Sequence, residues 1–233
     1  MTHELSLLPQ PQPDSATTVL AWRADLDPHA LPPTPQLTAG QRRVLVACME
    51  QFAEKGFVAS STRDIAAALG VQSPSLYNHF ASKEAMLSTL VLLGFEYYNN
   101  RILTALLEAG GTPKEQLTRL IREHVLISCE YVRLVVVIHQ ELLHLPEEAV
   151  AAALGYRNQA AFLLDQILTR GHEQGVFDVR HRRTTITALG SMGLSAAMTF
   201  PYRPDITAPE IADEFVELAL RLVGASAAQE GTA

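Results

Sequence analysis

The stretch Ser61–Lys83, STRDIAAALGVQSPSLYNHFASK, decides the fold of this chain, because it encodes two short helices joined by a tight turn. Ser61 followed three residues later by Asp64 is a helix-start pattern, in which a hydroxyl and a carboxylate satisfy the free amides at the positive end of the helix. Gly70 suits the left-handed conformation that ends a helix. The pattern predicts a helix-turn-helix, a unit that places one helix in the major groove of DNA.

The second helix of this motif has its own start signals. Ser73 is a good N-cap, and Pro74 suits the first helical position, where no amide hydrogen bond is lost. A helix of about two turns is therefore predicted, with Leu76 and Phe80 as its anchors. Its other side chains are hydrogen-bonding types that suit phosphates and base edges. Purely structural helical domains use similar turns, so the motif alone leaves that alternative open.

Four short segments carry a family resemblance: Thr62–Ala66, Gly70–Val71, Ser75–Phe80 and Ser82–Glu84. Together they resemble the DNA-binding signature of the tetracycline-repressor (TetR/AcrR) family of bacterial regulators, over about 46 residues from Thr38 to Lys83. Beyond them the resemblance is one of layout. It implies an all-α chain of about nine helices, with a DNA-binding head followed by a helical domain that binds an effector and dimerises.

The resemblance also assigns DNA contacts. It implies that Arg63, Gln72, Ser73 and Ser75 lie near base edges, and that Thr62, Tyr77, His79 and Lys83 lie near phosphates, with Asn78 on the same polar side. Family members often carry Lys or Gly after the capping position, so Ser73-Pro74-Ser75 leaves the base preference open. Arg42 and Arg43, near the start of the preceding helix, either reach phosphates or lie solvated on the surface.

The net charge of −7 argues against a nucleic-acid partner only until its distribution is considered. Residues 1–37 hold one basic and four acidic side chains, residues 38–83 hold five and three, and residues 84–233 hold twelve and eighteen. The head alone is therefore positive, by two charges, and the acidic remainder would orient it toward DNA. So small a surplus implies modest non-specific affinity and reliance on a dimer.

Composition excludes several other classes of protein. A hydrophobic content of 48% and a charged content of 18% are typical of a globular chain, and no apolar run reaches the ~18 residues that span a bilayer. The amino terminus does not resemble a secretory signal, which predicts a cytoplasmic bacterial protein without a membrane partner. Cys48 and Cys129 are predicted to be small core residues rather than a disulfide or metal site. His139 and His144 do not match a metal-binding spacing, so no metal is expected.

Composition and helix-breaking residues predict four parts of the chain. These are a proline-rich, flexible extension (1–37), the head (38–83), the effector-binding and dimerisation domain (84–224) and a disordered tail (225–233). The first helix is predicted from Thr38 to Lys55, with Gly56 as its stop. The later helices are predicted at Ser82–Ala109, Lys114–His144, Glu147–Leu154, Tyr156–Glu173, Arg182–Phe200 and Pro209–Val223.

The last two predicted helices suit an assembly surface, although core packing explains the same residues equally well. Small residues would let another helix approach, and apolar residues recur at helical spacing: Gly190, Gly193, Ala196, Ala197, Ile211, Phe215, Leu218 and Leu222. A short reading helix contacts few bases, whereas a two-fold dimer reads a palindrome with twice the contacts. We therefore expect a homodimer on a palindromic operator in double-stranded DNA.

The central helices offer residues for an effector pocket, with ordinary core as the alternative for each. The candidates are Phe95, Tyr98, Asn99, Ile102, His124, Ser128, His139, Phe162, Gln166, Met192 and Ser195. A mostly apolar lining with scattered polar groups suits a lipophilic small molecule. The Tyr202-Arg203-Pro204 turn is similar to family members that govern acyl-CoA and steroid breakdown, which makes an acyl-CoA thioester one candidate effector.

The predicted function is a transcriptional repressor that a ligand releases from DNA. No bound cofactor is expected. An interaction or ligand-binding protein that keeps the fold without binding DNA is the first alternative. An enzyme is the second, and the chain shows no phosphate-binding glycine loop, no nucleophile elbow and no clustered metal ligands to favour it.

Overall fold

The computed structural model describes residues 30–225, which form helices and connecting turns. The α-helices are α1 (Ala39–Ala59), α2 (Thr62–Ala68), α3 (Lys83–Glu108), α4 (Pro113–Glu130), α5 (Val132–Glu141), α6 (Glu147–Glu173), α7 (Arg182–Thr199) and α8 (Ala208–Leu222). Shorter 3₁₀ helices cover Ser73–Asn78, here called the reading helix, Leu142–His144 and Phe200–Tyr202. Residues 30–225 contain no strand, and the all-α prediction is confirmed.

Local capping chemistry starts most of these helices. A hydroxyl accepts a hydrogen bond from the third helical amide at the start of α1, α2, α3, α4 and α8; the capping residues are Thr38, Ser61, Ser82, Thr112 and Thr207. In all but α3, the side chain at the third helical position returns a bond to the cap amide. Such reciprocal pairs satisfy two otherwise free backbone donors from sequence neighbours alone.

The predicted helix Lys114–His144 is in fact two helices. It is interrupted at Tyr131, whose backbone is non-helical at φ −119° and ψ 48°. Tyr131 is buried and packs edge-on against Tyr97 of α3, with ring centroids 5.3 Å apart. A tertiary contact, and not a glycine or proline, therefore accompanies the break, which the sequence did not signal.

The opposite error occurs in α6, which was predicted as two helices separated at Gly155. The helix is continuous, because an isolated interior glycine costs only about 1 kcal/mol. Its neighbours more than offset that cost: Ala153 is fully buried, and Tyr156 stacks on Phe95 of α3 at 6.4 Å. The number of helices agrees with the prediction because the two errors cancel: one predicted helix is two, and two predicted helices are one.

One group of packed residues joins the head to the rest of the chain. The head core contains Phe52, Ile65 and Leu76, and it is continuous with α5 and the first turns of α6. A second core joins the far ends of α3, α4, α6 and α8. Cys48 and Cys129 are both buried and unpaired with each other, as predicted.

The end of the predicted flexible extension is part of the head. Leu31 is completely buried in the head core, and Pro32 is buried beside it. The guanidinium of Arg42 donates to the carbonyl oxygens of both residues, at 2.9 Å for Pro32. Residues 30–37 therefore differ from the expectation of flexibility, because one apolar side chain reaches the head; residues 1–29 lie outside the described part of the chain.

Candidate nucleic-acid interface and effector pocket

The turn between α2 and the reading helix follows the predicted glycine-ended geometry. Gly70 has φ +69°, and the amides of Gly70 and Val71 donate to the carbonyls of Ala67 and Ala66 at 3.1 and 3.0 Å. At the other end of α2, Ser61 and Asp64 exchange hydrogen bonds of 2.7 to 3.2 Å. The bonds from Ser61 lower the pKa of the Asp64 carboxyl. This unit is fixed by residues within the eleven-residue stretch from Ser61 to Val71.

The reading helix differs from prediction in type and start. It is a 3₁₀ helix rather than an α-helix, and its N-cap is Gln72, without a side-chain cap, rather than Ser73. Pro74 still lies in its first turn, where its missing amide hydrogen costs nothing. Leu76 and Phe80 are 1% and 8% exposed and anchor the helix to the head core, as predicted.

The polar side chains predicted for DNA lie on the outer surface of this helix and of α2. Tyr77 is 51% exposed, although it is a large aromatic residue. Exposed beside it are Arg63, Gln72, Ser75, Asn78 and His79, while Thr62 and Ser73 are half-buried. An exposed aromatic hydroxyl among hydrogen-bonding side chains is suited to a phosphate-lined surface.

A close contact that the sequence analysis did not anticipate positions His79. A methyl group placed on Gly40 would lie 2.5 Å from Cε1 of the His79 ring, so the imidazole rests on the bare backbone at the start of α1. Gly40 thereby holds one end of the reading helix against the first helix. A glycine in the first turn of a capped helix is the sequence signal that could have indicated this contact.

Lys83 is placed differently from the phosphate contact that the family resemblance implied. Its ammonium donates to the carbonyl oxygens of Phe57 and Ser60, each at 2.8 Å, and lies 4.1 Å from the centre of the Phe57 ring. The other face of Phe57 stacks on His144, with ring centroids 5.6 Å apart. Lys83 therefore ties α3 to the end of α1, next to the first turn of α2.

The charge of the head is modified by the domain behind it. Arg133 of α5 reaches Glu50 of α1 at 2.9 Å and pairs with one of the head's three acidic side chains. Arg42 is bonded to the chain before α1, whereas Arg43 and Arg63 are exposed. The exposed positive charge of the head therefore lies mainly on Arg43, Arg63 and Lys55.

Polar groups of the predicted effector pocket meet where α3, α4 and α7 pack together. The His124 ring lies edge-on to Tyr98, with centroids 5.3 Å apart. Its Nε2 is 3.0 Å from the amide nitrogen of Gly193 and 3.1 Å from the carbonyl oxygen of Gly190. A methyl group on Gly193 would come within 2.6 Å of the His124 ring and of Ser128 Oγ, so this glycine makes the approach possible.

Two buried polar atoms have no hydrogen-bond partner among the described residues: Nδ1 of His124, and Oδ1 of Asn99 where α3 meets α6. Burial lowers the pKa of His124 to about 4, so the ring is neutral near pH 7. In either neutral tautomer, Nδ1 is left without a partner. Asn99 is itself 7% exposed and donates through Nδ2 to Gln159 at 3.0 Å and to the Tyr156 carbonyl at 3.2 Å.

Matches to known proteins agree with this geometry. Residues 44–90 match the family model described as bacterial regulatory proteins, tetR family, and residues 110–223 match the tetracyclin repressor-like C-terminal domain. The transcriptional repressor KstR2 of Mycobacterium tuberculosis is 30% identical over 143 residues, which are 61% of this chain and 71% of that protein. The chain belongs to the TetR family.

Solved structures extend the likeness to the whole fold of this TetR-family protein. A tetR-family regulatory protein from Rhodococcus RHA1 superposes with a TM-score of 0.76 at 26% identity, covering 82% of this chain and all of that one. AibR, solved with isovaleryl coenzyme A and operator DNA, has a TM-score of 0.69 at 21% identity and covers 76% and 96%; this likeness shows the fold alone. The chain is a DNA-binding transcriptional regulator and not an enzyme.

The predicted effector-pocket residues are not all interior. His139 is close enough to His124 to contribute to the lowered pKa of that ring, and burial lowers the pKa of His139 itself. Phe162, Gln166 and Ser195 lie on the surface, with Phe162 61% exposed, although their helical spacing resembled that of core positions. Phe95, Tyr98, Asn99, Ile102, Ser128 and Met192 are buried or half-buried.

Some residues of the predicted assembly surface are buried within the chain, and others are exposed. Gly193, Ala196, Ala197 and Ile211 are buried within the chain, where they serve core packing. Gly190 is exposed with nothing near its missing side chain, and three large apolar residues of α7 and α8 are exposed as well: Met198 (46%), Leu218 (50%) and Leu222 (45%). Within residues 30–225, no helix is long and apolar enough to cross a membrane.

Proposed function

We propose that this regulator is a repressor that binds a palindromic operator as a homodimer and is released by a small molecule. The single observation that supports DNA reading best is the exposed polar surface of the reading helix on a buried Leu76–Phe80 anchor. The relatives named as repressors favour repression over activation.

The homodimer accounts for the exposed apolar side chains of α7 and α8. Leu218 and Leu222 lie one helical turn apart on α8, so they form a continuous strip. Burying that strip against its copy removes apolar surface from water and brings two reading helices into one assembly.

Sedimentation at micromolar concentration tests the dimer. The wild-type chain should sediment as a dimer, whereas Leu218→Glu should sediment as a monomer because it buries a charge in the interface. Leu107→Glu is the matched control, since Leu107 is 87% exposed and belongs to α3 rather than to α7 or α8. A monomeric wild-type chain, or equal behaviour of both variants, would contradict the assignment of this surface.

Selection of bound sequences from a random duplex pool, at near-physiological salt, tests DNA reading. A palindrome should be recovered. Tyr77→Phe should then weaken binding to all sequences alike, because it removes a phosphate contact, whereas Arg63→Ala should relax preference at particular positions. Identical specificity profiles for the two variants would refute this division of roles, and failure to recover any motif would favour a fold that has lost DNA binding.

The effector proposal is carried by the unpartnered Nδ1 of His124 and Oδ1 of Asn99. A buried polar atom without a partner costs free energy, and a ligand that supplies the missing bond recovers that cost on binding. The adjoining surfaces of Tyr98 and Ile102 are apolar. A lipophilic molecule with hydrogen-bonding groups fits this chemistry, and an acyl-CoA thioester, with its carbonyl oxygen and amide groups, is the candidate we favour; the same fold accommodates such a ligand in AibR.

A panel of acyl-CoA thioesters, free coenzyme A and the free acids tests the effector. A thioester that releases operator DNA should lose its effect in Asn99→Leu, which removes the buried acceptor, while operator affinity without the ligand is retained. Tyr98→Phe is the control, because the Tyr98 hydroxyl has no hydrogen-bond partner among the described residues. Release by the free acids alone would replace the thioester with a fatty acid as the effector.

A further inference from the structure

A cleft of about 470 Å³ lies at the end of the helical domain away from the head. It is bounded by the last turns of α6, the segment that follows, and the first turn of α7. Val179 is half-buried and supplies apolar surface over the fully buried Leu168, and the remaining lining is basic or polar. The volume lies within the range of small-molecule sites, roughly 300–1,000 Å³.

The lining is rich in positive charge. Arg180, Arg182 and Arg183 all border the cleft, together with the imidazoles of His172 and His181. Residues 168–184 hold four arginines against two acidic side chains, whereas the rest of residues 84–233 hold eight basic and sixteen acidic ones. A local surplus of two positive charges within a strongly acidic domain marks the cleft as a place for an anion.

The arginines are not all neutralised by the protein itself. Arg182 contacts Asp165 at 2.7 Å and Thr169 at 3.1 Å, and these two bonds fix its position at the side of the cleft. Arg180 is 3.8 Å from Asp178, with both side chains largely exposed, which makes a weak pair. Arg183 has no side-chain partner among the described residues. Two guanidinium groups are therefore available to a ligand.

The start of α7 adds backbone donors. Five other α-helices have a hydroxyl cap, but α7 begins at His181 without a side-chain cap, and its first three residues line the cleft. Their amides have no capping acceptor, and such amides bind phosphate oxygens well. This feature supports the cleft because it coincides with the arginines.

The position of the cleft separates it from DNA. Ala153 of α6 packs in the core shared with the head, whereas His172, 19 residues further along the same helix, borders the cleft. At 1.5 Å per residue the two are about 28 Å apart. These arginines are therefore not part of the DNA surface.

We propose that this cleft binds an organic diphosphate of nucleotide size. Arg180, Arg183 and the first amides of α7 hold the diphosphate, because guanidinium groups form paired, charge-assisted bonds to phosphate oxygens. The flat base lies against Val179. Free nucleotides and the nucleotide part of coenzyme A share this chemistry.

Calorimetric titration of the full chain with ADP, coenzyme A and inorganic diphosphate tests the proposal. ADP and coenzyme A should both bind, and more tightly than inorganic diphosphate, which lacks the base. The double variant Arg180→Gln/Arg183→Gln should weaken binding at least tenfold, corresponding to about 1.4 kcal/mol. Arg221→Gln, which removes an exposed arginine paired with Glu217 on α8, should leave binding unchanged.

The outcomes distinguish free nucleotides from coenzyme A as the ligand, and they show whether the cleft binds either one. Binding of coenzyme A without ADP, lost in the double variant, would support the cleft and assign the coenzyme as its ligand. No binding of either nucleotide, or equal affinity of the wild-type chain and the double variant, would overturn the site. Operator affinity and thermal midpoint without nucleotide should be the same in both arginine variants, so a folding defect or a failure of DNA binding is recognised separately.

Discussion

The head and the proposed effector pocket of this regulator satisfy their polar groups in different ways. In the head, Ser61 and Asp64 lie three residues apart and complete each other's hydrogen bonds. In the pocket, His124 finds its backbone neighbours 66 and 69 residues away, and its Nδ1 has no described partner. The capping groups of the head are thus satisfied by hydrogen bonds within the chain. The proposed pocket instead keeps an unused hydrogen-bonding atom that a ligand can use.

This difference predicts that substitutions in the head affect stability and DNA binding together, whereas pocket substitutions affect stability and ligand response. The largest expected effect comes from Leu76→Ala. Leu76 is 1% exposed, and removing such a side chain costs about 2–5 kcal/mol of unfolding free energy. Urea denaturation measures the loss, and operator anisotropy should show weakened binding because the reading helix loses its anchor.

Leu107→Ala, at a leucine that is 87% exposed, is the control and should change stability by about 0.5 kcal/mol or less. If Leu76→Ala unfolds no more easily than this control, contacts other than Leu76 hold the reading helix. That result would contradict the role of Leu76 as the anchor of this helix.

The second effect is a pH dependence of stability that originates in the pocket. Burial lowers the pKa of His124 to about 4, below the ordinary value near 6.5 that applies to the unfolded chain. The unfolded chain therefore binds the proton more readily between these values, and stability is lost as the pH falls from 6.5 toward 4, by at most about 1.4 kcal/mol per pH unit.

Denaturation at pH 7 and pH 5 measures this loss. His124→Gln should show a smaller decrease than the wild type, while His172→Gln, at an exposed histidine, should keep the wild-type decrease. Equal decreases in all three proteins would show that the His124 ring is not held neutral by its surroundings.

A third, smaller effect tests the capping pair. Ser61→Ala removes the acceptor for the Asp64 amide, and loss of such a cap costs about 1 kcal/mol. Operator affinity should fall with stability, while the response to an effector stays unchanged. Ser88→Ala, on α3, makes the same chemical change away from a cap, so an equal loss there would remove the special role of Ser61.

The smallest effect should separate stability from DNA binding. Gly40→Ala improves helix propensity by up to about 1 kcal/mol but displaces the His79 ring, which lies 2.5 Å from the added methyl group. Thermal stability should therefore be unchanged or slightly raised, and operator affinity lowered. Unchanged affinity would mean that the position of His79 does not matter for DNA.

Much of the head could be predicted from residues close together in sequence. The capping pair at Ser61, the glycine at position 70 and the anchors Leu76 and Phe80 all function over distances of a few residues, so their pattern is visible in the chain. The 3₁₀ geometry of the reading helix was missed, because α and 3₁₀ turns share start signals and similar backbone angles.

The helical domain was predicted less well, for a physical reason. Phe162 and Gln166 have the spacing of core residues, but whether a helical face is buried depends on which other helix covers it. Likewise, Tyr131 interrupts a helix while buried against Tyr97, 34 residues earlier, and no local signal records that contact.

The sequence by itself determined the all-α class, the helix starts at Thr38, Ser61 and Ser82, the helix-turn-helix and the positive charge of the head, because capping, turn chemistry and charge depend on neighbouring residues. Only the tertiary structure decided that Lys83 binds within the head, that Leu31 completes its core, that His124 meets Gly193, and that the arginines after α6 border one cleft. These contacts join residues far apart in sequence, and their formation depends on how whole helices pack.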